Sequence, residues 1–230
     1  MLRLLSAGAA QGLTKALAPS FERDARCEVR ARFMPVGALE EALIAGEACD
    51  VVVSSEAMLE RFAREARVEA ATIARLGSVH TGIAVRAGDR APAIDTEDRL
   101  RAALLAAPRL YVPDPQRATA GVHFVKVLRA LGLYDRLAAR LASHPNGVAA
   151  MTALAAAGER EALGCTQVTE ILYTAGVALV GVLPGPFALA TPYAAAVSAA
   201  AAEPELARRF VAMLTAPATT DARRAAGFEA

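Results

Sequence analysis

Short apolar runs of strand length alternate with helix-period segments throughout this 230-residue chain, and brief turns rich in Gly, Ser, Thr and Ala join them. That order leaves few folds open. Leu2 to Leu5 reads as a strand. The turn Ser6-Ala-Gly-Ala-Ala-Gln-Gly12 follows, and Leu13, Leu17 and Phe21 then recur at helical spacing over residues 13–25. Residues 28–33 read as a second strand, and Met34-Pro-Val-Gly37 opens a helix over 38–45 that Gly46 ends. A third strand over 50–53 runs into Ser54-Ser55, residues suited to capping a helix over 56–66. A strand–helix–strand–helix–strand order of this kind predicts parallel pairing with right-handed crossovers.

The second half repeats the theme. Strands are predicted over 79–86, 109–112, 162–165, 177–182 and 192–199. Helices are predicted over 96–106, 122–131, 134–141, 148–157, 203–215 and 219–226, with a short one after Thr166-Gln-Val-Thr169. The pattern divides into two α/β units of similar size, with the runs near Val79 and Tyr193 as crossings between them. In such sheets ligands meet the carboxyl ends of strands, against helix N-termini. Short turns there expose backbone N–H groups and the positive ends of helix dipoles, which suits an anion.

Composition narrows the function classes. Hydrophobic residues make up 55% and charged residues 21%, enough to bury a large core and too apolar for disorder. With 25 basic and 24 acidic residues the net charge is +1, so no strong field recruits nucleic acid or an anionic membrane. Trp is absent and aromatics total 5%, so stacking platforms for sugars or bases are scarce. No apolar run reaches membrane-spanning length. No phosphate-binding loop, dinucleotide fingerprint or nucleophile elbow is present. Cys27, Cys49 and Cys165 lack metal-ligand spacing and read as buried apolar side chains. No metal or cofactor is expected.

Several segments then carry a likeness: Gly12-Leu-Thr-Lys-Ala-Leu17, Gly37-Ala-Leu39, Ala45-Gly-Glu-Ala-Cys-Asp50 followed by Val51-Val-Val-Ser-Ser-Glu56, Asp114-Pro115 with Ala120-Gly121, Leu131-Gly-Leu-Tyr-Asp135, and the closing Gly227-Phe228. In this order and spacing, over essentially the whole chain, the sequence resembles the molybdate-binding protein family, substrate-binding subunits of ABC importers with the type II periplasmic-binding fold. The resemblance implies an α/β fold of two lobes, each a mainly parallel sheet flanked by helices. Residues 1–80 with 191–230 would form one lobe and 81–190 the other, joined by a two-crossing hinge that closes a ligand cleft. It also implies a monomer with a small anionic ligand, and an ABC permease as partner if the chain is exported. The N-terminus shows no export signal, so the chain as given is expected in the cytoplasm, with a periplasmic location as the alternative.

The resemblance further implies serine hydroxyls in the first two turns and a tyrosine after the strand at 162–165. Here those positions fall on Gly12, on Val36 or Gly37, and on Gln167. Losing a hydroxyl partner in a dry site costs roughly 1–3 kcal/mol. The altered set predicts a planar carboxylate or another small organic anion as ligand, rather than a tetrahedral metal oxide. Its expected contacts are Ala10, Gln11, Gly12, Val36, Gly37, Ser54, Ser55, Arg117, Thr119, Ala120, Gly121, Gly147, Val148, Gln167 and Thr169.

Individual residues allow two readings. Arg117 is a carboxylate clamp or a solvated loop arginine. Ser54-Ser55 and Asn146-Gly147 bind the anion or cap helices. His123 faces a ligand or packs, His80 touches ligand or is structural, and His144 is expected to be exposed. An alternative function is an isomerase of a small unsaturated carboxylic acid, like aconitate isomerase, on the same scaffold. That chemistry needs an acid/base pair beside a held carboxylate, for which His80, His123, Glu56 and Glu170 are the candidates.

Overall fold

The structure, a computed structural model, describes residues 1–229. In chain order the elements are β1 (Leu2–Ala7), α1 (Gln11–Ala25), β2 (Val29–Met34), α2 (Val36–Ile44), β3 (Val51–Ser55), α3 (Glu56–Arg64) and β4 (Ala74–Arg86). Next come α4 (Glu97–Ala106), β5 (Leu110–Pro113), α5 (Thr119–Ala130), α6 (Tyr134–Leu137), β6 (Leu141–His144), α7 (Gly147–Ala155), β7 (Leu163–Gln167) and α8 (Val168–Tyr173). The chain ends with β8 (Val177–Val182), β9 (Ala190–Val197), α9 (Pro204–Thr215) and α10 (Thr220–Ala225). The fold is α/β, and it divides into two compact units: a terminal unit, Met1–Val79 with Thr191–Ala230, and a central unit, His80–Ala190.

In the terminal unit the strand order is β2-β1-β3-β9. β1 pairs in parallel with β2 (Ala7 opposite Met34) and with β3 (Ser6 opposite Val53), and β9 runs antiparallel to β3 (Tyr193 opposite Ser55). Alternation along the strands feeds two cores. Leu2, Leu4, Val51, Val53 and Val197 pack on one face with Leu13 and Phe21 of α1 and Phe210 of α9. Leu5, Val52 and Ala196 pack on the other with Leu39 of α2 and Leu59 and Phe62 of α3. Helices on both faces explain why β3 reads as an unbroken Val51-Val-Val53 run rather than an alternating one. Phe21 meets Phe210 edge-on at 5.0 Å, tying α1 to α9.

The amino ends of these strands are fastened by Asp50, which is fully buried. Its Oδ2 accepts from the Arg3 backbone N–H at 2.8 Å and from Arg3 Nε at 3.2 Å. Its Oδ1 accepts from Arg3 Nη2 at 3.2 Å and from the backbone N–H groups of Ala202 at 2.8 Å and Glu203 at 3.4 Å. Glu203 is the residue that opens α9, and its own side chain does not cap that helix. Burial alone would push the Asp50 carboxyl up. The Arg3 guanidinium and the N–H groups of Arg3 and Ala202 outweigh it and hold the group below the usual carboxylate range.

The central unit has strand order β8-β4-β7-β5-β6. β5 pairs in parallel with β6 and β7, while β7 and β8 run antiparallel to β4. Again there are two cores. Ile83, Val85, Leu110, Val112 and Leu163 pack with Leu100, Leu104 and Phe124 on one face. Ala84, Tyr111 and Ala162 pack with Met151 and Leu154 of α7 on the other.

Some boundaries differ from the sequence expectation. A 3-10 turn over Gly8–Ala10 fills the first turn, so α1 begins at Gln11, two residues early. β4 starts at Ala74 rather than 79, its first half running through Gly77, whose φ is +133° and where an added Cβ would stand 2.4 Å from the Glu229 carbonyl oxygen, so there is no room for a side chain. β6 was not expected at all. Its four residues are too short to show a period of two, and a helix was predicted through Leu141. His144, expected to be exposed, is instead half-buried at the end of β6 and stacks on Tyr111 at 5.9 Å, where burial lowers its pKa.

Asp50→Ala should lower the unfolding free energy by about 3 kcal/mol in urea titrations, because it strands Arg3 and two N–H groups. The pH dependence has a definite sign. The stabilisation from Asp50 is in full above about pH 3.9, the unfolded value, and disappears as pH falls through the depressed folded value. Asp50→Asn should remove that part of the acid transition.

Candidate functional site

In each unit the parallel strands end at one edge, and helices start there. In the terminal unit β1, β2 and β3 lead into α1, α2 and α3. The N-cap residues are Ala10, Pro35 and Ser55, and none makes a side-chain cap. Two other helices are capped by side chains: Thr96 accepts from Arg99 N–H at the start of α4, and Asn146 accepts from Ala149 N–H at 2.8 Å at the start of α7, while α5, α6, α8, α9 and α10, like α1 to α3, have no side-chain cap. Asn146 is therefore a cap, as one of its two readings held. The first-turn N–H groups of an α-helix have no intrahelical acceptor. In α2 these belong to Val36, Gly37 and Ala38, the first intrahelical bond being Leu39 N–H to the Pro35 carbonyl at 2.9 Å. In α1 the Gln11 N–H already reaches the Gly8 carbonyl, within the 3-10 turn that runs into the helix.

The expectation that Ser54-Ser55 caps α3 is corrected. Ser54 lies inside β3, fully buried, with its hydroxyl directed at Met58 Sδ at 2.9 Å. Ser55 occupies the N-cap position without accepting from the helix. Glu56, a candidate acid or base, is paired with Arg75 at 3.2 Å. Two residues that sequence reasoning passed over lie at the same edge. Thr14 sits in the first turn of α1, 2% exposed, and Thr191 lies two residues before Tyr193, the ladder partner of Ser55. Neither hydroxyl has a hydrogen-bond partner among the described residues. A threonine two residues after Gly12 was the available signal, but threonine is too common for spacing alone to mark it.

In the central unit the parallel strands β5, β6 and β7 lead into α5, α7 and α8. Thr119, Ala120 and Gly121 form the first turn of α5, whose N-cap Ala118 has no side-chain cap. An added Cβ on Gly121 would stand 2.4 Å from the Asp114 carbonyl, so only glycine lets α5 begin this close to β5. Asp114 Oδ1 accepts from the N–H groups of Gln116 and Arg117 at 2.8 and 3.1 Å and shapes the loop, on which Arg117 is exposed. His123 Nε2 lies 2.8 Å from the Phe187 carbonyl. A carbonyl only accepts, so Nε2 carries the proton in that contact. His80 is half-buried on β4.

Glu170 and Gly147 are brought together, in a way the sequence did not suggest. Glu170 is 6% exposed, and its carboxyl accepts from the Thr166 hydroxyl at 2.5 Å and from the N–H groups of Gln167 and Gly147. The chain thus places its own carboxyl at the start of α7. Gly147 has no space for a side chain, since a Cβ would fall 1.9 Å from Glu170 Oε2. Val148 follows, half-buried. Burial pushes the Glu170 carboxyl up, against the hydroxyl and the two amides that favour its charged form. The three cysteines are free and buried, and burial pushes the Cys165 thiol up, away from nucleophilic use. Among the described residues no His, Cys, Asp and Glu group is arranged to hold a metal ion, and no helix is long and apolar enough to cross a membrane.

Glu170 and Asp50 should titrate with opposite effect. The stability contribution of Glu170 is in full below about pH 4.3 and falls as pH rises through its raised folded value. Glu170→Gln should flatten that decline in urea unfolding measured against pH. An unchanged slope would assign the decline to another group.

Comparison with known proteins agrees with this architecture. The bacterial extracellular solute-binding protein family matches residues 2–229. The periplasmic molybdate-binding protein of Azotobacter vinelandii superposes with a TM-score of 0.77 at 19% identity, covering 100% of this chain and 99% of that one. The sulfate-binding protein SubI of Mycobacterium tuberculosis gives 0.76 at 17% identity, over 99% and 85%. These structures share the type II periplasmic-binding fold, as the resemblance to molybdate-binding proteins implied. An aconitate isomerase from Pseudomonas sp. is 27% identical over 233 residues, covering 97% of this chain and 84% of that protein. With its match running almost from end to end, the chain belongs to the bacterial extracellular solute-binding protein family.

Proposed function

We propose that this chain binds a small organic carboxylate through helix-start amides and nearby threonine hydroxyls. One observation carries the proposal. In the terminal unit three helices of 9 to 15 residues begin at the same sheet edge, and none is capped by a side chain. First-turn N–H groups and dipole ends gathered this way favour negative charge. Candidate contacts in the terminal unit are Gly12, Val36, Gly37 and Ser55; the central unit, taken by itself, has a helix start of the same kind at Thr119, Ala120 and Gly121. Gly147 is a weaker candidate, because Glu170 already accepts from its N–H.

The donor chemistry argues for carboxylate over a tetrahedral metal oxide. Gly12, Val36, Gly37 and Gln167 bring no hydroxyl to the places where the molybdate-binding resemblance implies one. The 27% identity with an aconitate isomerase supports the same class, aconitate being a polycarboxylate. Membership of an extracellular family favours the periplasmic alternative, with an ABC permease as partner.

The isomerase is the second reading, and two observations favour it. They are the identity with aconitate isomerase and the buried carboxyl of Glu170, whose pKa burial raises, the direction a proton donor needs. Of the other candidates, His123 and Glu56 are committed to Phe187 and Arg75.

Thermal shift with aconitate, citrate, malate and succinate, set against molybdate and sulfate, tests the ligand class. A carboxylate at a hundred times its Kd should add about 2.7 kcal/mol. For a chain of this size that raises Tm by roughly 5–10 °C. Stabilisation by molybdate or sulfate and by no carboxylate would overturn the proposal. Proton NMR of aconitate incubated with the protein decides between binder and isomerase.

A further inference from the structure

A cavity of about 360 Å³ opens in the central unit. Its walls are the stretch from Arg90 to Ala93 that follows β4, one face of α4, and the residues Glu161 and Leu163. Leu163 is the first residue of β7 and pairs with Leu110, the first of β5. The cavity therefore lies at the amino ends of these parallel strands, away from the carboxyl edge where α5, α7 and α8 begin. The α4 face is Arg99, Ala102, Ala103 and Ala106, three and four residues apart and hence one stripe of the helix. Leu100 and Leu104 of the same helix go into the core instead. Alanine at Ala102 and Ala106 leaves open the space that a longer side chain would fill. A cavity of this size with mostly apolar walls and a few charged groups has the form of a small-molecule site.

Three charged residues line it. Arg99 is engaged, its Nη1 donating to both oxygens of Asp95 at 2.9 and 2.7 Å. Arg90 and Glu161 are not. Among the described residues neither side chain has an ion pair or hydrogen bond, with the other or with any third group. The stretches that carry them are nevertheless fastened together. Arg86 donates to Asp89 Oδ1 at 2.9 Å and to the Ala157 carbonyl at 2.6 Å, and the Glu161 N–H supports the same Asp89 carboxylate. Arg90 is the next residue after Asp89, so a cation and an anion are held beside one cavity by their backbones and not by each other.

This set selects by charge. A carboxylate matches the Arg90 guanidinium, and an ammonium matches the Glu161 carboxylate. A polycarboxylate would meet Glu161 with like charge and would bring no apolar surface to the alanines. A molecule with both charges and an apolar body answers all three walls.

We propose that this cavity is a second binding site, for a free α-amino acid with an apolar side chain. Its carboxylate pairs with Arg90, its ammonium with Glu161, and its side chain lies on Ala102, Ala103 and Ala106. The site is independent of the carboxylate proposed above.

The test is calorimetric titration of the whole chain with leucine, with 4-methylpentanoate, which lacks the ammonium, and with 3-methylbutylamine, which lacks the carboxylate. Leucine should bind about five-fold more tightly than either, the most that one exposed charge pair supplies. Arg90→Gln should bring leucine down to the level of the amine, and Glu161→Gln to that of the acid. Ala102→Leu and Ala106→Leu fill the cavity from exposed helix positions. Each should abolish leucine binding with Tm kept or raised. Leucine binding that survives Arg90→Gln and Ala102→Leu unchanged would place the amino acid elsewhere and overturn the proposal. A wild type that binds neither leucine, methionine nor phenylalanine at millimolar concentration overturns it as well. So does one that takes 4-methylpentanoate as tightly as leucine, with both lost in Ala102→Leu. Carboxylate binding that persists in Ala102→Leu belongs to the helix starts, so the two proposals stand or fall separately.

Discussion

The buried carboxylate of Asp50 is the interaction on which the terminal unit depends. It accepts from the backbone and guanidinium of Arg3 and from the N–H groups leading into α9. The main chain at Asp50 also pairs on both sides, with its N–H on the Arg3 carbonyl and its carbonyl on Ser198 N–H, at 2.8 and 2.9 Å. One residue therefore sets the register of β1 against β3, positions β9 and starts α9. All of this lies at the amino ends of β1 and β3. The carboxyl ends are left to the turns, where backbone donors are not needed for holding the sheet together.

Asp50 and Glu170 are the two acidic residues buried among the described residues, one in each unit, and their environments differ. Asp50 has a guanidinium beside it and stays charged. Glu170 has only a hydroxyl and two amides, and burial pushes its pKa up. The first acid fastens the amino edge of its sheet. The second stands at the carboxyl edge of the other, where helix starts gather, and accepts there from the Thr166 hydroxyl and the N–H groups of Gln167 and Gly147. The central unit thus satisfies part of its own row of helix starts with Glu170, while the terminal unit leaves the starts of α1, α2 and α3 without side-chain caps. In the central unit α5 also starts without a side-chain cap.

Much of the fold was legible in the sequence because its signals are local. The Val51-Val-Val53 run, the helical recurrence of Leu13, Leu17 and Phe21, and the small-residue turns each reflect burial or backbone freedom at one place. β6 was missed because Leu141-Ala-Ser-His144 is held by pairing with β5 rather than by its own pattern. The site was legible only as a set of turns. The sequence suggested Ser54-Ser55 as a cap and Gly147 as an open donor. The structure commits Ser54 to Met58, leaves Ser55 uncapping, and gives the Gly147 N–H to Glu170.

By itself, the order of residues determined the class of fold, the succession of most strands and helices and the buried character of the three cysteines. Periodicity, turn chemistry and apolarity act over a few neighbours and can be read along the chain. Only the tertiary structure decided which polar groups keep their hydrogen-bonding capacity. Whether the hydroxyl of Thr81 or the N–H of Gly147 finds a partner depends on residues brought alongside by strand pairing and helix packing, and no local pattern encodes that.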